Sequence, residues 1–349
     1  MVGCGVRSVQ LPPLSLLTLA RRQEGLVSAG QCDRAGVGAA RRGRLVRDEV
    51  WERPTRGVFD VEPARDRRHD ADHRRRRAAW LGMLAFGPGA VAVGPCALAL
   101  HRVEGLPRDI APEIALPGGT AGRNRGGVRV RTFGGFETLR YGDRAIAELV
   151  PALVQALPEL PRVHAVAVLD GVLRRGSLSD TAYTTVRERA RGRRGAAALS
   201  SWWALVDRRA ESPLETIARL HCVDAGIPPD ELQVEIRSAR GRLLGRGDLG
   251  WRLPQGRWLI AEIDGREFHD RPDALLRDRT RQNALISTGR VDILRFTSND
   301  LRTPTYLPTT IRAALARAAT AAEPDMGVVI DARHGTHVGF VAGTSPSGG

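Results

Sequence analysis

Residues Gly245–Asp264, GRGDLGWRLPQGRWLIAEID, constrain the fold of this chain more than any other stretch. Leu249, Trp251 and Leu253 alternate in the manner of a half-buried strand, and Trp258–Ile263 is a mostly apolar run. With Pro254, Gln255 and Gly256 as a three-residue connection, Leu253 faces Arg257, and Asp248 then lies directly opposite Glu262. Facing residues of paired strands have Cβ atoms about 4.5–5.5 Å apart. Asp264, two residues after Glu262, points to the same face. Three acids on a half-buried face repel one another and lose hydration, a cost that a cation removes. The expectation is a divalent-metal site, Mg²⁺ or Mn²⁺ by ligand hardness. A four-residue connection would instead shift the register by one and carry Glu262 to the other face.

The hairpin is followed by HDRPDALLRDRTRQNALISTG from His269 and VDILRFTSNDL from Val291. With Asp-x13-Glu-x-Asp and an acid-bearing helix ahead of it, this order resembles the PD-(D/E)XK nuclease superfamily, and within it the very-short-patch-repair (Vsr)-like endonucleases. The resemblance covers roughly residues 211–320. It implies a restriction-endonuclease-like fold and metal-assisted phosphodiester hydrolysis. Asp248 and Glu262 would be metal ligands and Glu215 an accessory acid. Asp264 stands where the superfamily carries a catalytic Lys. The Vsr-like branch commonly uses His residues instead, which points to His269. Arg277 and Arg281 lie four apart on the expected next helix, in reach of phosphates. Each has a plainer reading. Ser212-Pro213-Leu214-Glu215 is also a helix capping box, His269 can finish a turn, and Arg277 and Arg281 can form a solvated helix face.

Composition weighs less than it first suggests. The net charge of +14 favours anionic partners such as DNA. Yet all 53 basic residues are Arg, the signature of a GC-rich coding sequence. Cys4, Cys32, Cys96 and Cys222 are widely spaced, so neither a zinc site nor a disulfide framework is expected, in keeping with a reducing cytoplasm. Leu11–Ala20 is too short to span a bilayer and lacks the features of a signal peptide, so a soluble protein with no membrane partner is expected.

Residues 15–62 read as three helices, Ser15–Glu24, Ser28–Ala35 and Val37–Arg44, then strands Leu45–Trp51 and Gly57–Val61. This winged helix-turn-helix pattern resembles the N-terminal domain of AbiEi-family antitoxins, on Gly25, Gly36, the Arg-rich third helix and Gly57-Val58-Phe59. Arg41, Arg42 and Arg44 on that helix are the candidate DNA contacts. Arg65–Arg77 reads as a solvated linker or helix start leading into a helix at Ala78–Phe86. Residues 78–185 resemble the α/β middle domain of the AbiEi-like proteins, with His101 as a packed residue, strands at Glu113–Leu116 and Gly127–Phe133, and helices at Ala145–Leu157 and Val163–Arg174. Arg187–Ala198 reads as a linker, and Trp202 and Trp203 as anchors between domains. Residues 205–322 form the endonuclease-like domain and 323–349 a mobile tail. His334-Gly335-Thr336-His337-Val338 is similar to a subtilisin-type histidine motif, but Ser345 is too close in sequence to build a triad with it.

The sequence thus predicts a mixed α/β chain of three domains: winged helix, α/β middle domain and PD-(D/E)XK domain. Its expected activity is that of a cytoplasmic, Mg²⁺- or Mn²⁺-dependent DNA endonuclease. The alternative is a non-catalytic DNA-binding regulator, antitoxin-like, whose toxin partner and oligomeric state the sequence leaves open.

Overall fold

Capping side chains and short apolar runs set where the elements of the first part of the chain begin and end. In the computed structural model, which describes residues 12–63, 70–238, 240–264, 289–320 and 329–331, α1 (Leu14–Arg22) leads into β1 (Leu26–Ser28) and α2 (Ala29–Arg34). Ser28 caps α2 reciprocally: its Oγ accepts from the Gln31 N–H at 3.2 Å, and Gln31 Oε1 accepts from the Ser28 N–H at 2.9 Å. Next come α3 (Ala39–Arg47), β2 (Glu52–Thr55) and β3 (Val58–Asp60), with β3 central in the order β1-β3-β2. Leu45–Trp51, expected as a strand, is not one. The third helix continues to Arg47 and buries Leu45 beside Leu16, Val37, Trp51 and Phe59. The wing partner of β3 is instead β2, where the wing's turn is expected, and β1, too short to stand out as a periodic pattern, pairs on its other side.

From Asp70 onward the Arg-rich run leads into a helix whose charges are paired. Asp70 caps α4 (Ala71–Phe86), its Oδ1 accepting from the Asp72 N–H at 2.8 Å. One turn further, Arg76 Nε donates to Glu24 Oε1 at 2.6 Å, and Arg77 donates to Glu24 O at 2.9 Å and Asp60 Oδ2 at 2.7 Å. His73 meets the same Glu24 carboxylate. Of the two readings, the helix start is what the structure has from Ala71 onward, but its charges are not solvated: they clamp the helix against β1 and β3.

A five-stranded sheet, ordered β6-β5-β4-β8-β7, follows from β4 (Val91–Ala92), β5 (Glu113–Ala115), β6 (Arg129–Arg131), β7 (Thr138–Tyr141) and β8 (Arg144–Ala147). α5 (Gly94–Leu100), α6 (Leu149–Ala156), α7 (Arg162–Arg174), α8 (Asp180–Ala190) and α9 (Ala196–Trp202) complete this unit. The single helix expected over Ala145–Leu157 is split into β8 and α6, because Arg144–Ala147 pairs with β7 and β4. His101 Nε2 donates to Ala147 O at 2.9 Å, a packing role. Arg187–Ala198, expected as a linker, spans the end of α8 and the start of α9, and Trp202 and Trp203 pack on the core beneath them.

The chain is mixed α/β, with eleven α-helices and three sheets among the described residues. It divides into two compact units, Met1–Val206 and Asp207–Gly349. The second unit contains α10 (Pro213–Asp224), β9 (Glu231–Arg237), β10 (Leu243–Arg252), β11 (Trp258–Asp264), β12 (Val291–Thr297), α11 (Tyr306–Thr320) and β13 (Val329–Asp331). Its sheet runs β12-β11-β10-β9-β13, antiparallel except for the parallel β11–β12 pair. β13 belongs to the stretch expected as a tail outside the fold, yet pairs with β9 at the sheet edge. One face, with Leu249, Trp251, Leu259, Ala261 and Ile263, packs against Ala218 and Cys222 of α10 and Leu307 and Ile311 of α11. A second cluster, Val234, Ile236, Trp258, Ile260 and Val291, takes the opposite alternation.

β9 changes face along its length. Leu232 joins the helix-side core whereas Val234 and Ile236 join the other cluster, although strict alternation would keep all three together. The switch falls at Gln233, whose φ of 56° lies in the left-handed region. Two glycines of β10 give this irregular ladder its clearance. A Cβ on Gly247 would come 2.2 Å from Ile260 Cγ2, and one on Gly250 2.5 Å from Val234 Cγ2. Gly247→Ala is therefore expected to destabilise the second unit by about 1–3 kcal/mol through overpacking, measured by urea unfolding; an unchanged midpoint would contradict this packing.

Candidate functional site

Tight pairing of β10 with β11 decides where the acids stand. Leu249 pairs with Ala261 and Trp251 with Leu259, and Leu253 N–H donates to Arg257 O at 2.8 Å across the three-residue connection. The ladder ends at Leu249 and Ala261, one step short of Asp248 and Glu262, and the two carboxylates are near enough for the charge of Glu262 to act on Asp248. Asp248 Oδ2 accepts from the Ile263 N–H at 2.7 Å, so the carboxylate takes the place of a ladder acceptor. Glu262 and Asp264 continue the alternation of Trp258 and Ile260, away from the helix-side core. Asp248, Glu262, Asp264, Glu235, Leu244 and Arg246 line an open cleft of about 550 Å³.

Glu215 reaches the same neighbourhood from α10. Ser212 Oγ accepts from the Glu215 N–H at 3.2 Å, so the capping half of the sequence reading is present. The Glu215 side chain does more than complete a cap, since its Oε2 accepts from the Glu211 N–H at 2.7 Å and from Gln233 Nε2 at 2.8 Å. The same Gln233 Nε2 lies 3.4 Å from Asp248 Oδ1. Burial, and then the charge of Asp248, push the Glu215 carboxyl up to about 7. Burial, reinforced by the charge of Glu262, also raises Asp248, while the Ile263 N–H opposes the shift.

These groups have the donor type for a hard divalent cation. All are carboxylates, and burial raises two of them, Glu215 and Asp248, disfavouring their charged forms in the absence of a counter-charge. Their count limits the kind of ion. Among the described residues, no group of three His, Cys, Asp or Glu side chains is placed to hold a metal. Two carboxylates with the remaining positions filled by water suit Mg²⁺. Glu262, only 5 % exposed, is also the partner of Arg295, whose Nε donates to Oε2 at 2.9 Å. A cation would compete with that guanidinium. His269, Arg277 and Arg281 lie outside the described residues, as does the His334–Val338 motif.

Sequence reasoning missed Gln233, Glu211, Arg246 and Arg295. Arg295 had a signal, since parallel pairing of β11 with β12 sets it beside Glu262. Gln233 had none, because a left-handed residue inside an apolar strand follows no periodic pattern.

The three candidate DNA-binding arginines separate. Arg42 is only 8 % exposed; its NH1 donates to Val37 O at 2.7 Å and pairs with Asp33, and its guanidinium lies over the Phe59 ring. It is removed from the proposed interface as a structural residue, turned inward on the same face of α3 as Leu45, three residues on. Arg44 is exposed and Arg41 half-buried.

No protein-family model matches the chain. It is 34 % identical over 163 residues to two proteins of Mycobacterium tuberculosis strains, "Uncharacterized protein MT2308" and "Uncharacterized protein Rv2248". The match takes in 47 % of this chain and 59 % of each relative, so the chain spans about three fifths of the length of these relatives. Their names carry no activity.

Two outcomes test the site's electrostatics and the arginine assignment. Because folding raises the Glu215 pKa from 4.5 to about 7, its contribution to stability is fully present below about pH 4.5 and is lost as pH rises through 7. Glu215→Gln keeps the acceptor for both N–H donors and removes the charge. Its stability advantage over wild type should be absent at pH 4, grow toward pH 7 and reach at most about 3 kcal/mol at pH 8 in urea unfolding. A pH-independent difference would refute the assignment. Separately, Arg42→Met should destabilise the first unit by about 2 kcal/mol, whereas Arg44→Ala should stay within about 0.5 kcal/mol of wild type; calorimetric melting distinguishes them.

Proposed function

We propose that the second unit is a restriction-endonuclease-like, PD-(D/E)XK domain of the Vsr-like type that hydrolyses DNA phosphodiesters with Mg²⁺ or Mn²⁺. The observation that carries this reading is that Asp248 and Glu262, on neighbouring strands, line one open cleft and interact through their charges, with Glu215 close behind. Buried like charges at adjacent positions contribute nothing to folding unless something is bound between them. Asp248 and Glu262 would hold the cation, and Asp264 at the cleft would order its water. When bound, such an ion polarises a phosphate oxygen and lowers the pKa of water. Glu215, with its pKa near neutrality, can hold or release a proton at Oε1, the oxygen not engaged by Gln233 and the Glu211 N–H. His269, Arg277 and Arg281 remain assigned through the family resemblance, to proton transfer and phosphate contact.

The first unit is proposed to target DNA. In this reading α1–α3 with β1–β3 form the winged helix and the remainder an AbiEi-like middle domain, with Arg44 and Arg41 toward DNA. The reading agrees with the exposure of Arg44 on α3 and with the net charge of +14.

A second reading has its own support. Arg295 neutralises Glu262, the Ile263 N–H and Gln233 satisfy Asp248, and Asp264 stands at the position of the family's Lys. An acid pair so satisfied fits a domain that keeps the fold without turnover, in a DNA-binding regulator or antitoxin-like protein. Supercoiled plasmid and mismatched duplex incubated with the pure protein and Mg²⁺ or Mn²⁺ separate the two. Nicking that requires metal and disappears in Asp248→Ala and Glu262→Ala is the expected outcome. Folded protein that retains DNA at low salt but cuts neither substrate would establish the regulator instead.

A further inference from the structure

We infer that Gln233 is a positioning residue for the acidic site, its side-chain amide bridging Glu215 and Asp248 and fixing where their carboxylates stand. The inference takes this cluster to be the cation site proposed above. Three independent features single Gln233 out. Its backbone occupies the left-handed region, at φ 56°, in the middle of a strand. Only glycine enters that region without strain. If the change of face between Leu232 and Val234 were all that this position had to provide, glycine would provide it better. A long polar side chain held there at the expense of strain points to work done by the side chain, the direction in which such outliers are properly argued.

The second feature is the bridge. Nε2 donates to Glu215 Oε2 at 2.8 Å and reaches toward Asp248 Oδ1 at 3.4 Å. Both neighbours are acceptors, so the amide orientation is decided by its surroundings: the reversed amide would set Oε1 against two carboxylates. The amide therefore joins an acid on α10 to an acid on β10. Between two like charges, a neutral double donor lowers the repulsion without occupying the cleft as a cation would.

The third feature is what the bridge leaves over. Gln233 is 7 % exposed, and its Oε1 is buried without a hydrogen-bond partner among the described residues. A buried acceptor lacking a donor is costly and marks a site where something further binds. A water coordinated beside Asp248 is the chemistry that fits, since it donates to a carbonyl oxygen and accepts none of the amide's protons.

The test uses the full chain and two readouts. In cation-free protein, the Gln233 side-chain NH₂ resonances are followed by NMR in wild type, Glu215→Gln and Asp248→Asn; the bridge requires them to move in both variants. Mn²⁺ affinity is then measured by calorimetry for wild type, Gln233→Met, which keeps volume and strain, and Gln233→Gly, which relieves strain. Both should bind Mn²⁺ about tenfold or more weakly, as for loss of other residues that orient ligands, while Gln233→Gly unfolds at higher urea than Gln233→Met. Amide resonances indifferent to both acid substitutions would overturn the inference. So would wild-type affinity in both Gln233 variants, or affinity restored by Gln233→Gly, which would assign the effect to backbone strain. A wild-type chain that binds no Mn²⁺ would remove the metal reading, and the amide resonances alone would then decide: moved, the bridge stands; unmoved, it falls.

Discussion

The register between β10 and β11 is the constraint from which the second unit's chemistry follows. Pairing Leu249 with Ala261 and Trp251 with Leu259 commits one face of the hairpin to the helices. Glu262, next to Ala261, is then carried to the other face, and Asp248 lines the same cleft. A slip of one residue would bury the acids under α10 and α11 and expose Leu249, Trp251, Leu259 and Ala261, so the apolar core itself holds the acids in place. The carboxylates do not pull the strands together. They are tolerated there because the opposite face makes the pairing obligatory.

What holds the acids tolerable is spread over several elements. The Ile263 N–H serves Asp248, Arg295 serves Glu262, and the Glu211 N–H serves Glu215, with Gln233 between the first and the last. Each contact removes part of the desolvation cost, and none removes it all, as the raised Glu215 and Asp248 show. This is an environment tuned to sit near a change of charge. A fully compensated network would have left every carboxylate in its ordinary range, and an uncompensated one would not have folded around them.

The hairpin was legible in the sequence because alternation and a Pro-Gln-Gly connection are local signals. So was the start of α2 at Ser28. Other parts were hidden for physical reasons. Leu45 and the residues after it alternate well enough to suggest a strand, but the helix-side burial of Leu45 beside Leu16 and Val37 is a tertiary fact. Ala145–Leu157 looks like one apolar helix because β8 is only four residues long and one of its two partners, β4, lies some fifty residues earlier in the chain. Arg42 looked like its neighbours until the position of Asp33 was known. Gln233 is the extreme case: its importance rests on a backbone angle and on two acids distant in sequence, neither of which a single chain displays.

The Arg-rich start of α4 has a bearing on how this protein can be taken apart. Glu24 and Asp60 are held by His73, Arg76 and Arg77, all of which follow the third strand. Cutting the chain between β3 and α4 would leave two enclosed carboxylates without their counter-charges. The first sixty residues are therefore not a portable module: a fusion, a shortened variant or a natural recombinant that carries them must bring the first two turns of α4 as well.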